Sequence, residues 1–329
     1  MLEFLTWTAR VIAVLVAIGA GLWVFGPYEP VEAANAFDPN ALPDDLDAYL
    51  AQSEALVPNL RPGTHKRIHW HGLPGAQTDV AVVYIHGFSA SSEEIRPVPD
   101  RVAQALGANL YFTRLTGHGQ DGAAMATATA GAWLQDVAEA YAIGRKIGRQ
   151  VLVISTSTGG TLAAATATDP GLSEGILGHV FVSPNFGLAN PAGQLLSWPA
   201  ARYWAPLIAG QNRSFEVRNE AHGAYWTSAY PTIAAMPMAA IVRYVAGLDV
   251  STAQLPAMFL FSDADQVVSS TATREVAAKW GGPVQLEPVT VGPDDDPYSH
   301  VIAGDILSPG MTDPAVASIT KWAQTLIAP

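Results

Sequence analysis

The chain has 329 residues, of which 49% are hydrophobic and none is cysteine, and it carries 17 basic against 29 acidic residues for a net charge of −12. This length fits one large domain with appendages, and the lack of cysteine excludes disulfides, thiolate catalysis and thiolate metal sites. The few Lys and Arg form no long cluster of the kind that follows a phosphate backbone, so nucleic acid is not expected as a partner.

The first predicted element is a membrane-spanning helix within residues 1–26. No charged or strongly polar residue lies between Val11 and Gly26, and extension back to Phe4 gives about 23 residues, near the length that crosses a bilayer core. Arg10 is the only basic side chain on the amino side, which marks that side as cytoplasmic. We therefore expect a membrane-anchored protein whose body lies outside the cytoplasm, on the periplasmic side.

A cleaved signal peptide is the alternative for this segment, and it would leave a secreted protein. The possible cleavage site is Ala34-Asn35-Ala36, which lies rather far beyond the apolar run and past Pro27 and Pro30. We therefore favour the uncleaved anchor, followed by a linker with one short helix over residues 27–63.

Strands and helices alternate through the rest of the chain. Strands are predicted around Ile68 and at Val80–Ile85, Asn109–Thr113, Val151–Ile154, Val180–Ser183, Ala257–Ser262 and Val284–Val291. Helices are predicted at Pro43–Val57, Pro97–Leu106 and Ala132–Ile147, and from Thr312 onward. This order favours an α/β fold with a mostly parallel central sheet that is covered by helices on both faces.

A long interval of about 70 residues between Ser183 and Ala257 interrupts this alternation, and it is far longer than a normal connection. It is rich in aromatic residues and methionine, a composition that suits apolar contacts with a substrate. We expect a helical lid over residues 184–256 that divides the core into residues 64–183 and 257–329. Trp204 and Trp226 are the lid side chains that we expect to contact the substrate.

The most informative motif is Ser155-Thr156-Ser157-Thr158-Gly159-Gly160, which follows the apolar run Val151–Ile154. A strand that enters a small-x-Ser-x-Gly turn and then a helix is typical of a nucleophile elbow, which exposes a serine hydroxyl at the edge of a sheet. Ser157 is the candidate nucleophile, because Ser155 and Gly159 supply the small residues that the turn needs on either side. Ser155 stands where glycine is usual, and a hydroxyl-rich helix cap is the alternative interpretation.

A serine nucleophile needs a base and an orienting acid, which in this kind of fold follow in the order acid, then histidine, after later strands. Asp265 follows the strand Ala257–Ser262, and His300 lies in the loop after the last predicted strand. We favour Asp265 over Asp263 because Val267 and Val268 can fold back to the core and fix the turn. Asp263 remains the alternative acid.

Two upstream motifs fit the same site. His86-Gly87-Phe88-Ser89 ends a strand in a loop whose backbone can direct an N–H at a developing oxyanion, so the Phe88 and Thr158 amides are the candidate donors. His86 and Gly87 are expected beside the substrate. Thr116-Gly117-His118-Gly119 follows another strand and is expected to shape the pocket floor, with a purely structural role for His118 as the alternative.

These segments together resemble the α/β-hydrolase superfamily, and in particular its monoacylglycerol lipase and carboxylesterase branch, from about Val80 to the end of the chain. The resemblance implies Ser157 as nucleophile, His300 as base, Asp265 as orienting acid, and the Phe88 and Thr158 amides as oxyanion hole. It implies hydrolysis of a lipid-like or monoacylglycerol-type carboxylic ester through an acyl-serine.

The alternatives to this function are an acyltransferase with the same three residues and, less favoured, a non-catalytic binding protein on the same fold. No metal or organic cofactor is expected for the reaction. His65, His69 and His71 alternate along a predicted strand, but no nearby carboxylate completes a metal site. The expected partners are a small ester substrate and the membrane.

Overall fold

The computed structural model describes residues 2–32 and 37–327. Its strands are β1 (Arg67–His69), β2 (Thr78–Ile85), β3 (Asn109–Phe112), β4 (Gly148–Thr156), β5 (Ile176–Val182), β6 (Asn212–Ser214), β7 (Ala229–Pro231), β8 (Ala257–Ser262) and β9 (Val284–Val289). Seven of them form one sheet in the order β1-β3-β2-β4-β5-β8-β9. Within it β1 pairs antiparallel with β3 at the edge, and the other neighbours are parallel.

The helices are α1 (Leu2–Phe25), α2 (Leu46–Ala55), α3 (Val98–Leu106), α4 (Gly122–Met125), α5 (Ala130–Ile147), α6 (Thr158–Ala167), α7 (Pro170–Ser173), α8 (Ala201–Ala209), α9 (Glu220–Tyr225), α10 (Met236–Ala246), α11 (Ser270–Lys279) and α12 (Thr312–Ile327). Short 3-10 turns lie at Pro39–Ala41, Pro191–Ser197, Thr232–Ala235, Val250–Thr252 and Pro309–Met311. Strands and helices therefore alternate as the sequence predicts.

The sheet is buried because both of its faces are covered. The apolar runs in β2 and β4 send alternate side chains into two separate clusters: Val83 and Val153 pack with α5 and α6, whereas Val82 and Leu152 pack with α3 and α12. The predicted α/β architecture is thus confirmed. Since the strands are parallel, the loops that follow them gather at one edge of the sheet.

The amino-terminal helix α1 is exposed along its length and contacts the lid near its carboxyl end, where Trp23 meets Trp198. Its segment Phe4–Phe25 has a mean hydropathy of 2.0, and none of it is buried. By length and composition the segment is able to cross a membrane. The candidate cleavage motif Ala34-Asn35-Ala36 lies outside the described residues, so the choice between anchor and signal peptide remains a prediction.

The expected lid interval, residues 184–256, holds helices α8, α9 and α10 and also a small hairpin formed by β6 and β7. Helix α10 packs against α6, the helix that follows the predicted elbow. The insertion is therefore mixed rather than purely helical. The boundaries of the lid at residues 184 and 256 stay a prediction from the sequence.

Candidate active site

Ser157 lies in the tight turn between β4 and α6, with φ 51° and ψ −116°. This backbone conformation is strained for a residue other than glycine, and strain of this kind is concentrated at functional sites. Gly159 permits the close approach of the helix, since a Cβ there would lie 2.4 Å from the Ile85 carbonyl oxygen. Ser155, where glycine is usual, fits because its buried hydroxyl donates to the Val180 carbonyl at 3.2 Å.

Three side chains from different loops form one chain of hydrogen bonds. The Ser157 Oγ lies 3.1 Å from His300 Nε2, and His300 Nδ1 lies 2.9 Å from Asp265 Oδ2. In the matching tautomer, Nδ1 donates to the carboxylate and Nε2 accepts from the serine hydroxyl. The structure thus brings together the three side chains that the sequence nominates as nucleophile, base and acid.

The turn after β8 holds the Asp265 carboxylate in place. The amides of Val267 and Val268 donate to its Oδ1 at 2.8 and 2.9 Å, which leaves Oδ2 for His300. Asp263 has a different environment, because it is exposed and pairs with Arg274 at 2.7 Å. Of the two candidate acids, Asp265 is the one that contacts the His300 imidazole.

The loop that carries His300 is organised by a second carboxylate. The buried Asp296 accepts from the amides of His300 and Val301 through Oδ2, at 3.1 and 3.0 Å, and from the Tyr298 amide through Oδ1 at 3.2 Å. These bonds fix the backbone on both sides of the imidazole. Our sequence interpretation assigns Asp296 no role, although its position four residues before His300 is typical of a turn-forming aspartate.

The electrostatics of the site favour protonation of His300. Burial lowers the pKa of its imidazole, but the hydrogen bond and negative charge of Asp265 outweigh this effect, with smaller help from the charges of Glu94 and Asp296. The net result is a pKa above the ordinary value of 6.5. The imidazole is therefore well suited to hold a proton taken from Ser157.

The loop after β2 is held by His86. Leu115 N–H donates to His86 Nε2 at 3.1 Å, so Nδ1 carries the ring proton and donates to the Gly87 carbonyl oxygen at 2.9 Å. Burial lowers the pKa of His86 to about 4, which keeps the ring neutral. Both ring nitrogens are used by the backbone, so this side chain braces the loop and offers neither nitrogen to a substrate.

The same loop aligns the candidate oxyanion donors. Because C=O and N–H point in opposite directions across a trans peptide, the bond to the Gly87 carbonyl directs the Phe88 N–H away from His86. A Cβ on Gly87 would lie 3.1 Å from Ser157 Cβ, so this peptide runs beside the nucleophile. Within the described residues no hydrogen bond uses the N–H of Phe88 or of Thr158, and the latter begins α6.

Glu94 is a buried acid that our sequence interpretation does not single out. Its Oε2 accepts from the Gly87 amide at 2.6 Å and from the Tyr84 hydroxyl at 3.1 Å. Burial raises its pKa to about 7, against the opposing effects of the Gly87 hydrogen bond, the His300 charge and the Tyr84 hydrogen bond. The two peptides that flank Gly87 are consequently both held: the Gly87 amide donates to Glu94, and the Gly87 carbonyl accepts from His86.

His118 lies in an aromatic cluster under the loop. Its ring centroid lies 5.1 Å from that of His86, 5.9 Å from Phe88 and 5.5 Å from Trp133, and Phe88 in turn lies 5.2 Å from Tyr230 of the lid. Burial lowers the pKa of His118 well below its usual value. The neutral ring packs behind the loop after β2, which fits the structural alternative given above.

The two lid tryptophans occupy different places. Trp204 donates to the Pro199 carbonyl and packs with Ala201, Ala205 and Met236 inside the lid. Trp226 is buried, and its ring contacts the His222 ring edge-to-face. The N–H of the next residue, Thr227, donates to the Ser89 carbonyl. Trp226 thus lies where the lid meets the loop after β2, whereas these contacts place Trp204 within the lid.

The sheet is covered on both faces, and a strained serine lies in one of its strand-to-helix turns. An acid and a histidine follow after later strands. This arrangement defines a protein of the α/β-hydrolase class. The sequence model of the alpha/beta hydrolase family matches residues 82–304. The chain belongs to this family. A search of curated proteins gave no significant match.

Solved structures share this fold. One is from work on LipS and LipT, two metagenome-derived lipolytic enzymes, with TM-score 0.65, 19% identity, and coverage of 81% of this chain and 100% of that chain. Another is the monoacylglycerol lipase of Paleococcus ferrophilus, with TM-score 0.58, 12% identity, and coverage of 80% and 98%. A third is a soluble variant of monoglyceride lipase from Saccharomyces cerevisiae, with TM-score 0.58, 12% identity, and coverage of 80% and 91%. At these identities the likeness shows a common fold.

Proposed function

We propose that this chain is a serine hydrolase that cleaves carboxylic esters through an acyl-serine intermediate. The observation that carries the proposal is the continuous hydrogen-bonded chain from Ser157 Oγ through His300 to Asp265. Each member has the chemistry that its place requires: a hydroxyl to attack, an imidazole to take and return a proton, and a carboxylate to hold the imidazole.

In the first half of the reaction, Ser157 Oγ attacks the ester carbonyl carbon and His300 Nε2 takes the hydroxyl proton. The carbonyl oxygen becomes an oxyanion beside the N–H groups of Phe88 and Thr158, and the positive end of α6 adds to its stabilisation. His300 then returns the proton to the leaving alcohol as the bond between the acyl carbon and the alcohol oxygen breaks.

In the second half, water takes the place of the alcohol. His300 Nε2 removes a proton from the water as it attacks the acyl carbon, and the proton passes to Ser157 Oγ when the acid is released. These steps use only groups of the chain, the ester and water, and none of them needs a metal or organic cofactor.

The proposed substrate is a lipid-like ester of the monoacylglycerol type. Helix α1 favours an enzyme placed at a membrane, and an apolar lid covers the core beside the nucleophile. Lipolytic enzymes and two monoacylglycerol lipases share the fold. We propose further that α1 anchors the enzyme and that residues 64–327 lie outside the cytoplasm.

The test is hydrolysis of p-nitrophenyl and monoacylglycerol esters of increasing acyl length by the chain in detergent micelles. Ser157→Ala is compared with Ser155→Ala, which removes the hydroxyl of a buried neighbour in β4. We expect Ser157→Ala to lose activity by on the order of 10⁴-fold or more, and Ser155→Ala to retain it.

The acyl-enzyme can be followed separately by mass spectrometry of the intact protein. Acylation of Ser157 without release of free acid, reversed by an added alcohol, would indicate the acyltransferase instead. Equal turnover by the parent chain and Ser157→Ala would refute the serine mechanism.

A further inference from the structure

A cavity of about 460 Å³ lies between the lid and the segment that leaves α1. This volume is within the range of small-molecule sites, roughly 300–1,000 Å³. The nucleophile, base and acid are not among its lining residues, so the cavity is separate from the proposed hydrolytic centre. It borders the centre nonetheless, because its wall residue Phe186 follows Asn185, whose amide donates to the Ser157 carbonyl oxygen.

One wall is a single face of α10. Met238, Ala239, Val242 and Ala246 recur at the spacing of one helical face and line the cavity with apolar groups. The loop residues Phe186 and Leu188 continue this apolar wall. The interior therefore suits a hydrocarbon chain.

The opposite wall is supplied by the end of α1, which is firmly attached to the lid. The rings of Trp23 and Trp198 meet edge-on at 5.6 Å, and Ala200 N–H donates to the Pro27 carbonyl at 2.8 Å. Arg202 Nε donates to the Glu29 carboxylate at 2.8 Å. These contacts hold the end of α1 against the lid and thereby fix the wall of the cavity.

The position of α1 sets the depth of the cavity. Trp23 and Tyr28 bracket the end of the apolar segment, and both residue types are enriched at the interface between membrane and water. With α1 inserted in a membrane as proposed, a cavity that they line would open at the level of the lipid head groups, where an acyl chain could enter it from the bilayer.

The mouth also carries a positive charge. The Arg243 guanidinium lies 4.0 Å from the centroid of the Tyr28 ring and is exposed. Within residues 2–32 and 37–327 it forms no ion pair with an acidic side chain. It is therefore available to an anionic head group at the membrane surface.

We propose that this cavity binds one acyl chain of an anionic membrane lipid, with Arg243 paired to the lipid head group. The proposal rests on the proposed insertion of α1 in a membrane and not on ester hydrolysis. A bound chain would pack against Phe186 and Met238, and the Asn185 side-chain amide lies 3.2 Å from the Met238 sulfur. The occupied cavity would thus steady the segment that supports the backbone of Ser157.

The test uses the full chain in vesicles of phosphatidylcholine that contain phosphatidylglycerol with a diazirine in its acyl chain. After irradiation, adducts are mapped by peptide mass spectrometry. We expect adducts on Phe186–Leu188 and on α10. Val242→Trp, which fills the cavity, should reduce them by about tenfold, a change equivalent to about 1.4 kcal/mol in binding.

Ile208→Trp is the matched control, since it adds the same ring at an exposed position of α8 and should leave the adducts unchanged. Ala239→Leu is a smaller filling variant in case Val242→Trp does not fold. Arg243→Gln, compared on phosphatidylglycerol and phosphatidylcholine probes, should abolish a preference for the anionic lipid.

Adducts confined to α1, or equal in the parent chain and in a folded filling variant, would overturn the proposal. Equal labelling by both lipids would overturn the role of Arg243. Labelling of Ser157 by a fluorophosphonate is measured in the same samples. Its absence beside normal adducts would count against the proposed hydrolase only.

Discussion

Asp265 contacts His300 through one carboxylate oxygen, while its other oxygen is occupied by two backbone amides. The carboxylate therefore has one orientation available, and the imidazole that it holds keeps Nε2 directed at Ser157. A charge that is fixed by the main chain needs no rearrangement during proton transfer, which is the condition for effective electrostatic stabilisation.

The first prediction concerns this carboxylate. In Asp265→Asn, Oδ1 still accepts from Val267 and Val268, but an amide NH₂ facing His300 Nδ1 favours the wrong imidazole tautomer. We expect kcat to fall by on the order of 10⁴-fold with the fold intact. Steady-state kinetics with a p-nitrophenyl ester measure the loss.

Asp263→Asn is the matched control for Asp265→Asn. It removes one exposed ion pair with Arg274, an interaction worth about 0–1 kcal/mol, and should leave kcat within about twofold of the parent value. A large loss in this variant and none in Asp265→Asn would assign the acid to Asp263 instead.

The second prediction concerns pH. His300 acts as a base only when neutral, and its pKa lies above 6.5 because Asp265 favours the charged form more than burial opposes it. Activity should therefore rise with pH to a plateau, with a midpoint above 6.5. The profile of kcat/KM for an ester without ionisable groups reports this midpoint.

The pH profile of the residual activity of Asp265→Asn tests whether Asp265 sets the midpoint of the parent profile. Loss of the negative charge should move its midpoint to lower pH than in the parent enzyme. A midpoint that stays unchanged would mean that another group governs the acidic limb.

The third prediction concerns Glu94 as a support of the oxyanion loop. Glu94→Ala leaves the buried Gly87 amide without an acceptor. This amide belongs to the peptide before the one that carries the Phe88 N–H, so the loop that positions the Phe88 N–H keeps its bond from His86 but loses its bond to Glu94. We expect kcat to fall by about 10- to 100-fold with a smaller change in KM, somewhat less than the loss of a whole oxyanion donor. Affinity for a trifluoromethyl ketone, which forms a tetrahedral adduct, should fall in parallel with kcat.

Two variants serve as controls for Glu94→Ala. Glu94→Gln keeps an oxygen for the Gly87 amide and should restore most of the activity. Glu93→Gln changes the adjacent acid, which pairs with Arg67 and Arg96 instead of the loop, and should not alter kcat. Equal kcat in all three variants would deny Glu94 a positioning role.

The fourth prediction links Glu94 to stability. Its carboxyl group has a pKa of about 7 in the folded state and an ordinary value of 4.5, so the folded state binds more protons between these values. As pH rises through this window, the parent chain loses stability relative to Glu94→Gln, by about 3 kcal/mol in total. The difference is complete above the folded pKa and absent below the ordinary one.

Melting curves in detergent at several pH values measure this difference. The apparent Tm of Glu94→Gln should rise relative to the parent chain from about pH 5 to about pH 8. A constant gap across this range would show that the buried carboxyl group stays in one protonation state.

Much of this fold could be predicted from the sequence because its signals are local. The apolar run Val151–Ile154 followed by small residues around Ser157 specifies a strand, a tight turn and a helix within ten residues. The positions of Asp265 and His300 follow from the same logic, since Asp265 lies in the turn after β8, His300 lies in the long loop after β9, and parallel strands end at one edge of the sheet.

The supports of the site could not be predicted in the same way, because they depend on distant contacts. Glu94 stands in the run Ser91-Ser92-Glu93-Glu94, which has the composition of a solvated turn, and only the folded chain buries it under Gly87. The sequence places His86 in the loop after β2, but its local pattern does not reveal that Leu115, from another strand-to-loop junction, donates to His86 Nε2. The environment of such groups depends on which loops contact each other in the folded chain, and the local sequence does not predict these contacts.

Pro27 and Glu29 accept hydrogen bonds from the lid, so cleavage of the chain after α1 would have a structural consequence. A protease that cut at Ala34-Asn35-Ala36 would remove the partners of Ala200 and Arg202 together with α1. The lid would then lose its tether and the cavity beside α10 would lose a wall. Cleavage would in that case change how the lid is held as well as where the protein resides, and the anchored and released forms would differ in the support of the lid.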